Sequence, residues 1–188
     1  MKRRVLSCAL SSALFLSSAM FSACSPSGDN TASAARTGGF FTQNLRTKPT
    51  VERHASGARV NQMVLSQSNR SNTRVVIDVA DQRGYLLVDG RIAVDTPVST
   101  ARPGKWTPRG SFSMTERVRS GKISTIYGVG MPYWMRLSGG VYGVHAGYLP
   151  GYPASAGCIR LPASSAQVIY DNTTYGTRVN VYSSWDGA

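Results

Sequence analysis

The rhythm of apolar and polar residues changes at Thr73. From there the chain runs in short β-rich stretches separated by turn residues. Thr73-Arg74-Val75-Val76-Ile77-Asp78-Val79 is β-branched and predicts a strand, and Arg83 to Val88 predicts a second. Asp89-Gly90 is a hairpin signal leading into Arg91-Ile92-Ala93-Val94. Asp95 to Thr100 predicts another strand, Arg102 to Pro108 a loop, and Gly110 to Met114 an extended segment. Ile123 to Tyr127 and Tyr133 to Leu137 predict two more short strands. A helix is expected over Pro162 to Asp171, with proline near its start, Ser164 as N-cap, and Val168 and Ile169 on the inner face. Gly176 breaks the chain and Thr177 to Tyr182 alternates as a closing strand. Residues 73–183 therefore read as one mostly-β domain with one helix, followed by a tail at 184–188. About 110 residues suffice for a single core.

The N-terminal part has another texture. Met1-Lys2-Arg3-Arg4 is positive, Val5 to Phe21 is uncharged and mostly apolar, and small residues follow. That is the layout of a secretory signal peptide over residues 1–23. A transmembrane anchor is the rival reading, but a span needs about 20 strongly apolar residues. Ser7, Ser11, Ser12, Ser17 and Ser18 dilute this run. Residues 24–72 are rich in Ser, Thr, Asn, Ala, Gly and Arg, with a short apolar patch around Val60 to Leu65. They read as a flexible tether. His54 lies there without a partner cluster and reads as a solvated side chain.

Charge narrows the partners. The formal net charge is +12, and loss of Lys2, Arg3 and Arg4 with the signal would leave +9. Such a field concentrates anionic partners. Export argues against nucleic acid, and the arginines are scattered with no tight basic run. A polyanionic envelope and a plainly solvated basic surface are both open readings.

The chemistry gathers in Val141 to Pro162, VYGVHAGYLPGYPASAGCIRLP. Cys158 has no disulfide partner once Cys8 and Cys24 are assigned to the export segment, which is unusual for an exported protein. His145 supplies a base to draw off its proton. One imidazole nitrogen must be tied down to aim the other. No Asp, Glu or Asn lies in this stretch, so a main-chain carbonyl near Ala146 or Ser155 is expected to do it. The N–H groups of Gly157 and Cys158 are candidate oxyanion donors, and the Arg160 fork is suited to a carboxylate. A thiolate-forming Cys158 is expected to react well below the ordinary thiol pKa of about 8.5. Read from residue type alone, a buried structural cysteine and a structural histidine stay open. Two ligands are too few for zinc.

His145 with Gly147, followed by Ser155-Ala156-Gly157-Cys158-Ile159-Arg160-Leu161, resembles the active-site signature of the L,D-transpeptidase family, the YkuD-type catalytic domain. Thr107-Pro108-Arg109-Gly110-Ser111-Phe112 is similar to the family's TPxGxF segment, Met131 to Leu137 to the strand before the histidine, and Arg83 to Gly90 to the opening hairpin. The resemblance runs from Thr73 to about Tyr182. It departs at Ala156, where the family often has a second histidine, so His145 stands as the only base.

The resemblance implies an L,D-transpeptidase-like β-sandwich or barrel of mixed sheets with one helix after the cysteine. It implies catalytic standing for Cys158, His145, Ser155 and Gly157, and substrate contact for Arg160, Gly147 and Ala156. It implies attack by Cys158 on the carbonyl of the third residue of a peptidoglycan stem tetrapeptide. D-Ala leaves, and an acceptor amine resolves the thioester as a 3–3 crosslink, a lipoprotein attachment or a D-amino-acid exchange. It further implies acylation by carbapenems and no metal or organic cofactor. A hydrolase (carboxypeptidase) using the same site and a non-catalytic murein-binding lipoprotein are the alternatives. Ser22-Ala23-Cys24 is similar to a bacterial lipobox, with Phe21 where that pattern usually has Leu. This implies lipidation of Cys24, a lipid anchor to the membrane and, with Ser25 next, placement at the outer membrane. A lysine-bearing envelope lipoprotein is then a candidate partner.

Overall fold

The computed structural model describes residues 51–53 and 56–187. The signal segment, Cys24, most of the expected tether and His54 lie outside the described residues. The strands are β1 (Val51–Arg53), β2 (Arg59–Asn61), β3 (Thr73–Asp78), β4 (Arg83–Val88), β5 (Arg91–Pro97), β6 (Gly110–Val118), β7 (Trp134–Leu137), β8 (Gly143–Ala146), β9 (Ile159–Leu161) and β10 (Arg178–Tyr182). Two helices join them, α1 (Gln62–Leu65) and α2 (Ala163–Asp171). The strands form one mixed sheet in the order β1-β2-β5-β4-β3-β10-β6-β7-β8-β9.

Local chemistry explains most of these elements. Asp89 (φ 48°) and Gly90 (φ 76°) both sit left-handed, the two-residue turn that matches strand twist, and they close the β4–β5 hairpin. β10 is inserted between β3, its parallel neighbour, and β6, its antiparallel one. β6 is shared: its first half pairs with β10 and its second half with β7, across a register shift between Met114 and Glu116. Ile77, Leu86, Met135, Val144, Leu161 and Val179 belong to one buried cluster that α2 covers with Ala166 and Ile169.

Five expectations need correction. Arg91 to Val94 and Asp95 to Thr100 are not two strands but one through Pro97, because Asp95 keeps its ladder place opposite Tyr85 and its carboxylate forms an ion pair with Arg83 of β4. Ile123 to Tyr127 is a loop with a turn, held by Ser124 N–H to the Val129 carbonyl (2.8 Å) and an isolated bridge from Ile123 to Gly130. Its apolar side chains are exposed rather than placed in the core. Ser164 does not cap α2; Pro162 holds the N-cap position and makes no side-chain capping bond. Val168 is only partly buried, while Ile169 faces the core.

The fifth concerns the ends. Where the expected tether enters the described residues it is folded: Val60, Val64 and Leu65 are buried in the core, and Asn61 caps α1 through Val64 N–H. Burying each such side chain is worth about 1.5–3 kcal/mol, enough to hold a seven-residue stretch against its ordering entropy only with the β2–β5 pairing added. At the other end Trp185 is docked. Its N–H donates to Asp78 Oδ2 at 2.8 Å and its ring lies 4.6 Å from that of Tyr85.

Candidate active site

β8 carries His145 and β9 carries Arg160, two parallel strands in which these residues stand directly opposite. Parallel neighbours need a long crossover, and residues 147–158 supply it. Cys158 ends that crossover, two positions before Arg160. A period of two therefore puts thiol, imidazole and guanidinium on one face. All three line a cleft of about 540 Å³, with Ala146, Gly147, Ser155 and Ala156. None of the residues lining it is acidic. Arg160 is in no ion pair among the described residues.

The ring of His145 is fixed from two sides. Nδ1 lies 2.7 Å from the Ala146 carbonyl oxygen. A carbonyl only accepts, so Nδ1 holds the hydrogen and Nε2 is left with a lone pair for a proton. Trp134 packs against the imidazole at 6.1 Å between centroids, and its Nε1–H donates to Glu116 Oε2 at 3.2 Å. The main-chain anchor near Ala146 is the one anticipated from the lack of side-chain acceptors. The part played by Trp134 was not visible in the sequence.

The turn before the cysteine is held by hydroxyls. Ser155 Oγ donates to the Cys158 carbonyl (2.6 Å) and accepts from Gly157 N–H (3.0 Å). Thr107 Oγ1 donates to the Gly157 carbonyl (2.9 Å) and accepts from Ala101 N–H (3.0 Å). The backbone at Ser155 is bridged to Thr100 and Arg102 (2.9 and 3.0 Å). This corrects one expectation: the Gly157 N–H is given to Ser155, so of the two proposed oxyanion donors the Cys158 N–H is the one left. Thr107 comes from the TPxGxF segment, and this is the physical task the structure gives it.

Gly157 itself cannot be larger. Its φ is +142°, and a Cβ would lie 2.2 Å from Tyr142 Cε1 and 2.9 Å from the Trp106 carbonyl oxygen. Gly147 plays a softer part, since a Cβ there would sit 3.2 Å from the Arg160 stem. The aliphatic stem thus lies along the glycine, which sets the height of the guanidinium. Ile126, Tyr127, Val129 and Tyr148 form an exposed apolar rim. Arg102 Nη1 donates to the Tyr127 hydroxyl at 2.7 Å and ties the rim to the loop before Thr107.

Burial favours the neutral form of both Cys158 and His145. Burial pushes the Cys158 thiol above its ordinary range, and the opposing pull of the Gly143 N–H and Arg160 does not overcome it. Burial likewise holds His145 below its ordinary range, against its bond to the Ala146 carbonyl, with Arg160 adding to the lowering. The upward direction at Cys158 runs against the expectation of a thiol reactive well below its ordinary pKa. Among the described residues no group of three His, Cys, Asp or Glu could hold a metal ion.

The family model of the L,D-transpeptidase catalytic domain (YkuD) matches residues 72–181. No curated protein matches the chain. Among solved structures it is similar to an L,D-transpeptidase from Xylanimonas cellulosilytica, at 29% identity and TM-score 0.55, covering 61% of this chain and 62% of that one. The L,D-transpeptidase from Stackebrandtia nassauensis is similar at 23% identity and TM-score 0.55, covering 65% and 62%. One from Mycobacterium tuberculosis gives 24%, 0.55, 59% and 57%. The chain thus spans about three fifths of the length of these structures, and the two likenesses under 25% concern the fold. With more than half of its length matched by the family model, the chain belongs to the L,D-transpeptidase (YkuD) catalytic-domain family.

Proposed function

We propose that the protein is a peptidoglycan L,D-transpeptidase working through Cys158. The observation that carries this is the acid-free cleft in which Cys158, His145 and the unpaired Arg160 lie on one face. Arg160 takes a stem carboxylate in its fork. As Cys158 Sγ forms its bond to the carbonyl of stem residue 3, the thiol proton passes to His145 Nε2. The Cys158 N–H faces the developing oxyanion. The bond to the terminal D-Ala nitrogen then breaks, and His145 returns the proton to that leaving amine. The thioester is resolved by an acceptor amine, which loses its proton to His145 in turn.

Ser155 and Gly157 shape the turn that presents the sulfur, Gly147 seats Arg160, and Ala156 leaves room where a bulkier residue would narrow the cleft. The acceptor is an amine of another stem, a lysine of an envelope lipoprotein or a D-amino acid. The chain is exported by residues 1–23 and anchored by lipid at Cys24 in the cell envelope, facing the periplasm.

The test is intact mass after incubation with a carbapenem, for the wild type and Cys158→Ala. A drug-sized adduct on the wild type alone is expected. A folded wild type that stays unmodified while it binds murein would overturn the catalytic reading in favour of a binding protein.

A further inference from the structure

A second concavity, of about 300 Å³, lies at the adjoining starts of β3 and β10 and shares no residue with the cleft. Arg70, Arg74 and Arg178 line it, together with Asn72, Thr73 and Thr177. Arg74 and Arg178 are direct partners in the parallel β3–β10 pairing, so their side chains leave the same face in register. Like charges placed opposite each other are unfavourable in a sheet. Among the described residues none of the three arginines is in an ion pair, and no acid lines the concavity. The nearby Asp89 carboxylate accepts from Asn72 Nδ2 at 2.9 Å.

The third arginine is carried by a loop that is locked by its own side chains. Asn69 Oδ1 accepts from the N–H groups of Ser71 (2.9 Å) and Asn72 (3.1 Å), and Thr73 Oγ1 donates to the Asn69 carbonyl (3.1 Å). This loop brings Arg70 into the lining of the same concavity as the Arg74–Arg178 pair. Three arginines around one concavity whose lining holds no acid suit an anion that can offer oxygens to more than one fork, as the four oxygens of a phosphate mono- or diester do. A carboxylate would occupy one fork only.

We propose that this concavity is a binding site for a phosphate group, held by Arg70, Arg74 and Arg178. It is independent of the cleft, and of the reading of Cys158.

The test is thermal melting of the full-length protein in sodium phosphate against sodium chloride of equal ionic strength. The variants are Arg74→Gln/Arg178→Gln, Arg70→Gln and Arg160→Gln. At about tenfold excess over the dissociation constant, phosphate should raise the wild-type Tm by about 5 °C. The double variant should lose that response, and the exposed Arg70→Gln should weaken it if the double variant does not fold. Arg160→Gln should keep it. A wild type indifferent to phosphate overturns the site, as does a shift that survives in the double variant or disappears only in Arg160→Gln. Glycerol 3-phosphate and the diester glycerophosphoglycerol separate the sources. A response to the diester assigns the phosphate to a lipid headgroup or a phosphodiester polymer, and a response to monoesters and inorganic phosphate alone assigns it to free phosphate.

Discussion

Substituting Gly157 by alanine is the most discriminating change the site offers. The new methyl carbon would start 2.2 Å from Tyr142 Cε1 and 2.7 Å from its Cδ1, on a backbone at φ +142°. Ordinary contact begins near 3.4 Å, so the tyrosine ring has to retreat by about 1 Å, with the Trp106 carbonyl at 2.9 Å blocking the alternative. Overpacking of this kind costs about 1–3 kcal/mol, and an alanine held at such a φ costs about 1–3 kcal/mol more. The total of about 2–6 kcal/mol stands against a domain stability of about 5–15 kcal/mol. The variant should fold but with much of its margin gone. Cys158 is the next residue, and displacement by about 1 Å lowers a reaction rate by about 100-fold. Urea denaturation gives the first figure and time-resolved intact mass with a carbapenem gives the second. In Gly157→Ala/Tyr142→Ala the ring contact is removed while the φ strain and the Trp106 contact stay, so part of the stability loss, at least about 1 kcal/mol as a coupling, should return. The reasoning is refuted if Gly157→Ala denatures and acylates like the wild type, or if removing Tyr142 recovers nothing.

Three further outcomes are expected. Ser155→Ala leaves the Gly157 N–H and the Cys158 carbonyl without their partner, and should cost about 1–3 kcal/mol with slower carbapenem acylation; unchanged kinetics would remove Ser155 from the positioning of the sulfur. Because burial holds His145 low and Cys158 high, acylation should stay on a plateau until the pH falls beneath about 6.5, whereas His145→Ala should gain rate only above about pH 8.5. The unfolded imidazole takes its proton first, so stability should also decline below about pH 6.5, and an acid limb of acylation centred above 6.5 would contradict the buried neutral ring. Arg160→Ala should raise KM for a stem tetrapeptide at least tenfold with little change in Tm, while matching losses of Tm and activity would make Arg160 a structural residue.

What could be read from the chain followed how local its cause was. β3, β4 and the Asp89-Gly90 turn are set by β-branched runs and by two residues able to adopt positive φ, all of it in adjacent positions. Cys158, His145 and Arg160 announced themselves because their chemistry is in the residue type, and the structure brings them into one cleft. β5 was broken in two because Asp95 looks like a turn residue until Arg83 is seen across the strand. Residues 59–65 passed for tether because the surface they cover and the strand they pair with lie some thirty positions on. The contacts of Thr107 and Tyr142 were not legible for the same reason: one reaches Gly157 across fifty positions, and the other matters only because a glycine leaves room for its ring. The apolar character of Ile126 and Tyr127 is genuine but belongs to a cleft rim, a use that periodicity cannot tell from a strand.

The place of β10 governs when the site comes into being. It is made after every other strand, yet it sits between β3 and β6, joining β1 to β5 on one side to the strands that carry His145 and Arg160 on the other. A growing or threading chain can form the Asp89-Gly90 hairpin early, from neighbours in sequence. The two halves of the sheet have no strand between them until residue 178 arrives. Closing the sheet therefore needs β10 to pair with strands about 70 to 100 positions earlier, and such long-range pairings are slow to form. A chain lacking Arg178–Tyr182 keeps His145, Cys158 and Arg160 but loses the strand between β3 and β6, leaving the two parts of the sheet joined through contacts such as the Ser99–Arg160 bridge. Loss of β10 is therefore expected to loosen the cleft from a distance, without touching any residue that lines it.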